Sequence, residues 1–185
     1  MKYKELYEMD DKLRLEFIKR LKESLTFRKE YFSACFYSFC KWYFPWIFGE
    51  SKSAEFHKEW AKEYVKWKHC LIVWFRESAK RQYLMAYIVW SIVFNKRKYI
   101  VFWAYSEQKS NKKLFDIWNQ LLTNSLIIWD FGHLYPTSKK KEDKSLKKRA
   151  VNLFITNNWI QVQAISLNKD LRGDTNQNLR PDLFC

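Results

Sequence analysis

At 185 residues, 48% of them apolar and 29% charged, the chain is long enough for one α/β domain with a core and too short for two comfortable ones, so one domain plus a helical leader is expected, and the composition is globular rather than disordered. Thirty-four Lys and Arg against 20 Asp and Glu leave a net charge of +14, which suggests a polyanionic partner, nucleic acid or anionic lipid, although charge alone names neither partner nor task. Cys35, Cys40, Cys70 and Cys185 form neither a C-x-x-C pair nor a framework of short spacings, and His57, His69 and His133 are scattered, so reduced thiols and no metal site are expected.

The first 20 residues are charged throughout and carry no secretory signal. Residues 10 to about 48 read as helical, with Leu13, Phe17, Leu21 and Leu25 at i, i+4 spacing, until Pro45 and Gly49 stop the pattern. The apolar stretch 31–48 is broken by Lys41 and Pro45, and 83–94 is too short for a membrane span, which needs about 20 residues. A helical leader over 1–52 is therefore expected. "SAEFHKEWAKEYVKWK" (53–68) predicts an amphipathic helix with Ser53 as N-cap and Phe56, Trp60, Tyr64 and Trp67 on one face.

From residue 70 the period changes. "LIVWF" (71–75) and "KYIVFWAY" (98–105) are continuous apolar runs of strand length, each followed by a helix, over 79–94 and 107–122. That alternation predicts an α/β fold, a mainly parallel sheet flanked by helices, with the turn 74–80 at the carboxyl edge. "TSKKKEDKSLKKRA" (137–150) is a charged connection whose Lys139, Lys140, Lys141, Lys147, Lys148 and Arg149 are candidate nucleic-acid contacts or a solvated loop. "VNLFIT" and "WIQVQAIS", joined at "NN", read as a hairpin whose second strand is half-buried. The terminal "DLFC" begins another apolar strand.

The turn "WFRESAKRQ" (74–82) links a strand to a helix and ends in a lysine, the arrangement that holds a nucleotide phosphate on backbone N–H groups and a helix N-terminus. Trp74, Arg76, Glu77, Ser78, Ala79, Lys80, Arg81 and Gln82 form the candidate site, with Lys80 on the terminal phosphates and Arg76 as a second cation. Arg81 stands where a Mg²⁺-binding hydroxyl belongs, and Trp74 where glycine is favoured, so a solvated turn remains the competing reading.

Taken in order, "FHKEW" (56–60), the R-x-x-A-K turn, "AYSEQKS" (104–110), "DFGHL" (130–134), the hairpin, and "LRGDTNQNLRPDLF" (171–184) resemble the ATPase half of the large terminase subunits of tailed viruses over residues 55–184. Arg172, Gly173, Arg180, Pro181 and Asp182 match the approach to that family's acidic Walker B strand. The resemblance implies a P-loop NTPase-like (ASCE type) domain over 53–185, incomplete because the acidic pair and the nuclease half fall outside these residues. It further implies ATP and Mg²⁺ as cofactors, double-stranded DNA, portal protein, small terminase subunit and further copies of itself as partners, no membrane, and the cytoplasm of an infected host cell. Since metal placement and water activation supply most of phosphoryl-transfer catalysis, efficient ATP hydrolysis is not expected of these residues. The alternative is a non-catalytic basic α/β module that binds nucleic acid.

Ten Trp and 3 Gly, together 13 of 185, add to roughly the usual 7% share of glycine. Trp74, Trp103 and Trp159 stand where the terminase pattern favours glycine, and "NNG" would make a better turn than "NNW". Translation of UGA as Trp, where the genome decodes it as Gly, would account for both observations; the alternative is an aromatic-rich core encoded by an AT-rich genome. Trp60, by contrast, fits the terminal Trp of "FHKEW".

Overall fold

The computed structural model describes residues 4–49, 54–66, 79–135, 149–150, 152–166 and 181–184. The chain divides into two compact units, Met1–Trp90 and Ser91–Cys185.

The described residues of the first unit are mostly helical. A 3-10 turn, Leu6–Glu8, precedes α1 (Asp11–Glu23), α2 (Leu25–Ala34), α3 (Phe36–Tyr43), α4 (Pro45–Phe48), α5 (Glu55–Lys66) and most of α6 (Lys80–Val93). Residues 10–48 are thus helical as expected, but in four pieces. Ser24 has an extended backbone and its hydroxyl accepts from Phe27 N–H, so it ends α1 and caps α2. Pro45 sits in the first turn of α4, where its missing N–H costs nothing. The leucine stripe is not uniformly buried: within α1 Leu21 is fully buried while Leu13 is 57% exposed, and Leu25, beyond the break, is 42% exposed. Arg28 repairs the open end of α1 by donating from Nη1 to the Leu21 carbonyl at 2.6 Å.

The core of this unit is aromatic. Tyr31, Phe32, Phe36, Phe39, Tyr43 and Phe44 are all buried. Phe36 meets Tyr87 edge-on at 5.5 Å and Trp90 at 5.5 Å, which ties α3 to α6. Trp90 also donates its Nε1–H to the Phe32 carbonyl at 2.8 Å.

In the second unit, β1 (Tyr99–Ala104) leads into α7 (Glu107–Thr123) and α8 (Ser125–Phe131), followed by β2 (Arg149–Ala150), β3 (Leu153–Ile155), β4 (Gln161–Ser166) and β5 (Leu183–Phe184). The sheet order is β2-β3-β4-β1-β5. β1 runs parallel to β4 and to β5, and β3 is antiparallel to both β4 and β2. α7 lies against β4 and β1 and buries Leu114, Ile117 and Leu121. Asn124 caps α8 through its Oδ1, which accepts from Leu126 N–H at 3.1 Å and Ile127 N–H at 3.3 Å.

This architecture overturns the expected fold class. The described chain is mostly helical and its sheet is small and mixed, so it is not the mainly parallel, helix-flanked sheet of a P-loop NTPase. Helix, strand, helix was legible from residue 79 onward. The alternation misled because the helices before it outweigh the sheet, and because β2, β3 and β5 span only two or three residues each. The expected strand at 71–75 lies outside the described residues.

Candidate phosphate-binding turn

α6 begins at Lys80, and the residue before it has a backbone demand of its own. Ala79 sits at φ 57°, in the left-handed region that L-residues with a side chain seldom adopt. Its carbonyl accepts the first bond of the helix, from Tyr83 N–H at 3.1 Å. The amides of Lys80, Arg81 and Gln82 therefore open the helix ahead of its internal ladder, on the end that carries the positive half of the macrodipole. A left-handed residue immediately before such an end turns successive N–H groups into a concave anion cradle.

Aromatic packing holds the first turn of α6 in place. Tyr83, one turn into α6, is buried against Phe48 at 4.6 Å and stacks on His57 at 5.0 Å. Trp60 approaches the same ring edge-on at 6.3 Å. "FHKEW" thus supplies His57 and Trp60 as the brace of the first turn of α6, so a helix motif distant in sequence fixes where Lys80 begins. Lys80 is half-buried, whereas Arg81 and Gln82 are exposed.

Of the other expected loop residues, Trp74, Arg76, Glu77 and Ser78 lie outside the described residues. Among the described residues no group of three or more His, Cys, Asp or Glu could hold a metal ion.

The "RPDLF" segment is placed in the second unit, where Asp182 has a structural task. Its Oδ2 accepts from Lys98 N–H at 2.8 Å, its Oδ1 from Tyr99 N–H at 3.1 Å, and its own N–H donates to the Tyr99 carbonyl at 3.0 Å. Those bonds align Leu183 and Phe184 with Ile100 and Val101, and so set the β1–β5 register. Pro181 precedes this pairing, and Arg172, Gly173 and Arg180 lie outside the described residues. Lys139, Lys140, Lys141, Lys147 and Lys148 do too. Arg149 begins β2, with its backbone opposite Phe154.

One polar cluster was not read from the sequence. Glu5 is 5% exposed, and its carboxylate accepts from the Ser38 N–H at 3.2 Å and from the Ser38 hydroxyl. Tyr31 and Ser38 share a hydroxyl hydrogen bond of 2.9 Å. Burial raises the Glu5 carboxyl above its usual range, against the opposing effect of the Ser38 bonds. Burial, then the nearby Glu5 charge, pushes the Cys35 thiol up to about 12, which makes it a poor nucleophile. The position of Glu5 in a run of charged residues gave no signal of burial.

No family model, curated protein or solved structure matches the chain. No helix among the described residues is long and apolar enough to cross a membrane.

Proposed function

We propose that these residues are a piece of a large terminase subunit of the kind that packages DNA into viral capsids, with affinity for duplex DNA and for phosphate at Ala79–Lys80. The observation that carries this reading is the left-handed Ala79 directly before a lysine that opens a helix. A left-handed residue beside a cation at a helix start favours an anion there, which supports this reading. The brace from "FHKEW", the first motif in that order, adds support. A mostly helical chain with a small mixed sheet is not a complete motor, so ATP turnover is no part of the proposal for these residues.

Duplex DNA bound by these residues is held through phosphates, because the net charge of +14 supplies the attraction. A salt series tests this: affinity should fall steeply between about 50 and 200 mM salt, by roughly a thousandfold if about six phosphates are neutralised. Affinity that stays level across the series would contradict it. The second reading, a non-catalytic basic nucleic-acid-binding protein without a nucleotide site, shares that salt dependence and rests on the same charge. Only nucleotide affinity separates the two.

A further inference from the structure

The hairpin between β3 and β4 turns through Thr156, Asn157, Asn158, Trp159 and Ile160. Trp159 N–H donates to the Thr156 carbonyl at 3.0 Å, and Thr156 N–H donates to the Ile160 carbonyl at 3.0 Å, closing a three-residue loop. Ile160 N–H reaches back to Thr156 Oγ1 at 3.0 Å. Neither Asn157 nor Asn158 has a positive φ, which excludes the primed two-residue turns, and Trp159 sits at φ 62°. A turn with two right-handed central residues followed by one left-handed residue is the three-residue hairpin with a G1 bulge, whose last loop position is glycine because a Cβ is strained there.

The rest of the loop is tightly determined, so this backbone is not free to relax. Asn158 Nδ2 donates to the Ile92 carbonyl and to Asn95 Oδ1, each at 2.9 Å, closing the C-terminus of α6. Asn157 N–H donates to the Leu134 carbonyl at 2.7 Å, and its Nδ2 to the His133 carbonyl at 2.8 Å. Trp159 itself is 55% exposed, so burial of its ring does not explain an aromatic in a glycine position. Trp60 and Trp90 differ in kind. They are 8% and 3% exposed, and their rings fill the aromatic core around α6.

We propose that residue 159 is glycine in the protein as its own translation system makes it, encoded by a UGA codon that has been read as tryptophan, whereas Trp60 and Trp90 are true tryptophans. The inference is independent of the terminase reading, since it rests on the backbone of one hairpin. Trp103, 47% exposed in β1, carries no such backbone demand, and Trp74 lies outside the described residues, so neither bears on it.

The test is the coding sequence together with the mass of the tryptic peptide Ala150–Lys169 from the native source. UGA at codon 159, UGG at codons 60 and 90, and a peptide mass that fits glycine are expected. UGG at 159, UGA at 60 or 90, or a peptide mass that fits tryptophan would overturn the proposal. In the chain as given, Trp159→Gly should raise Tm by roughly 2–4 °C while Trp159→Ala does not, because alanine retains the strained Cβ. An equal rise in both variants would place the cost in the ring rather than the backbone and count against the inference.

Discussion

Ala79 and Glu5 are two residues whose roles follow from backbone and burial rather than from residue type. Ala79 at φ 57° keeps a left-handed conformation that glycine adopts at less cost, so Ala79→Gly should stabilise the chain by about 0.5–1 kcal/mol in chemical denaturation. A loss of stability would mean that the methyl group is packed usefully. Glu5 carries a carboxyl whose folded-state pKa lies above the unfolded value, so the folded chain holds its proton more tightly. Its charged form therefore subtracts stability at neutral pH, and that deficit fades as pH falls through the raised pKa toward the ordinary value of about 4. Glu5→Gln should be more stable than the parent near neutral pH, with the gap closing near about pH 4. A gap independent of pH would assign the effect to packing. Neither behaviour was legible in sequence, because "KELYE" and "ESAKR" look like exposed polar text, and only the tertiary contacts of Ser38 and the first turn of α6 distinguish them.

Among the elements, β1 and α7 were legible almost to their ends, since a continuous apolar run and a 3.6-residue stripe are set by local pattern. β4 was legible as a strand but not as a fully buried one. Gln161 and Gln163 look like the outward positions of a half-buried strand, yet they are 7% and 8% exposed, with the Tyr99 hydroxyl donating to Gln163 Oε1. Polar side chains that satisfy one another inside a sheet defeat any reading by alternation. The breaks at Ser24 and Cys35 were hidden for another reason: without Gly or Pro, only a side-chain cap or a local backbone bend marks them. α6 and α8 offer direct checks on element stability. Trp90→Phe keeps most of the ring packing and deletes the bond to the Phe32 carbonyl, so it should cost about 1 kcal/mol or somewhat more, as that acceptor is buried. Asn124→Ala, which removes the cap of α8, should cost about 0.5–2 kcal/mol. Equilibrium unfolding of each variant measures both, and a neutral Trp90→Phe would show that solvent or another donor replaces the indole.

At the scale of the whole molecule, charge and composition were read correctly as those of a folded basic protein, and the fold class was not. The alternation over 53–185 was read as a mainly parallel sheet, whereas the described residues form a small mixed sheet in a mostly helical chain. The proposed function stands on one physical feature, a cationic helix start behind a left-handed residue, against which "FHKEW" packs. Thermal unfolding with and without ATP tests it most directly, in the parent and in Lys80→Ala. ATP at about 100 times its Kd should stabilise the parent by about 2.7 kcal/mol, seen as a clear upward shift in Tm. Lys80→Ala should fold with a similar Tm in the absence of ATP and lose most of the ATP-dependent shift. A parent insensitive to ATP at millimolar concentration, or a shift retained in full by Lys80→Ala, would contradict a phosphate site at this turn.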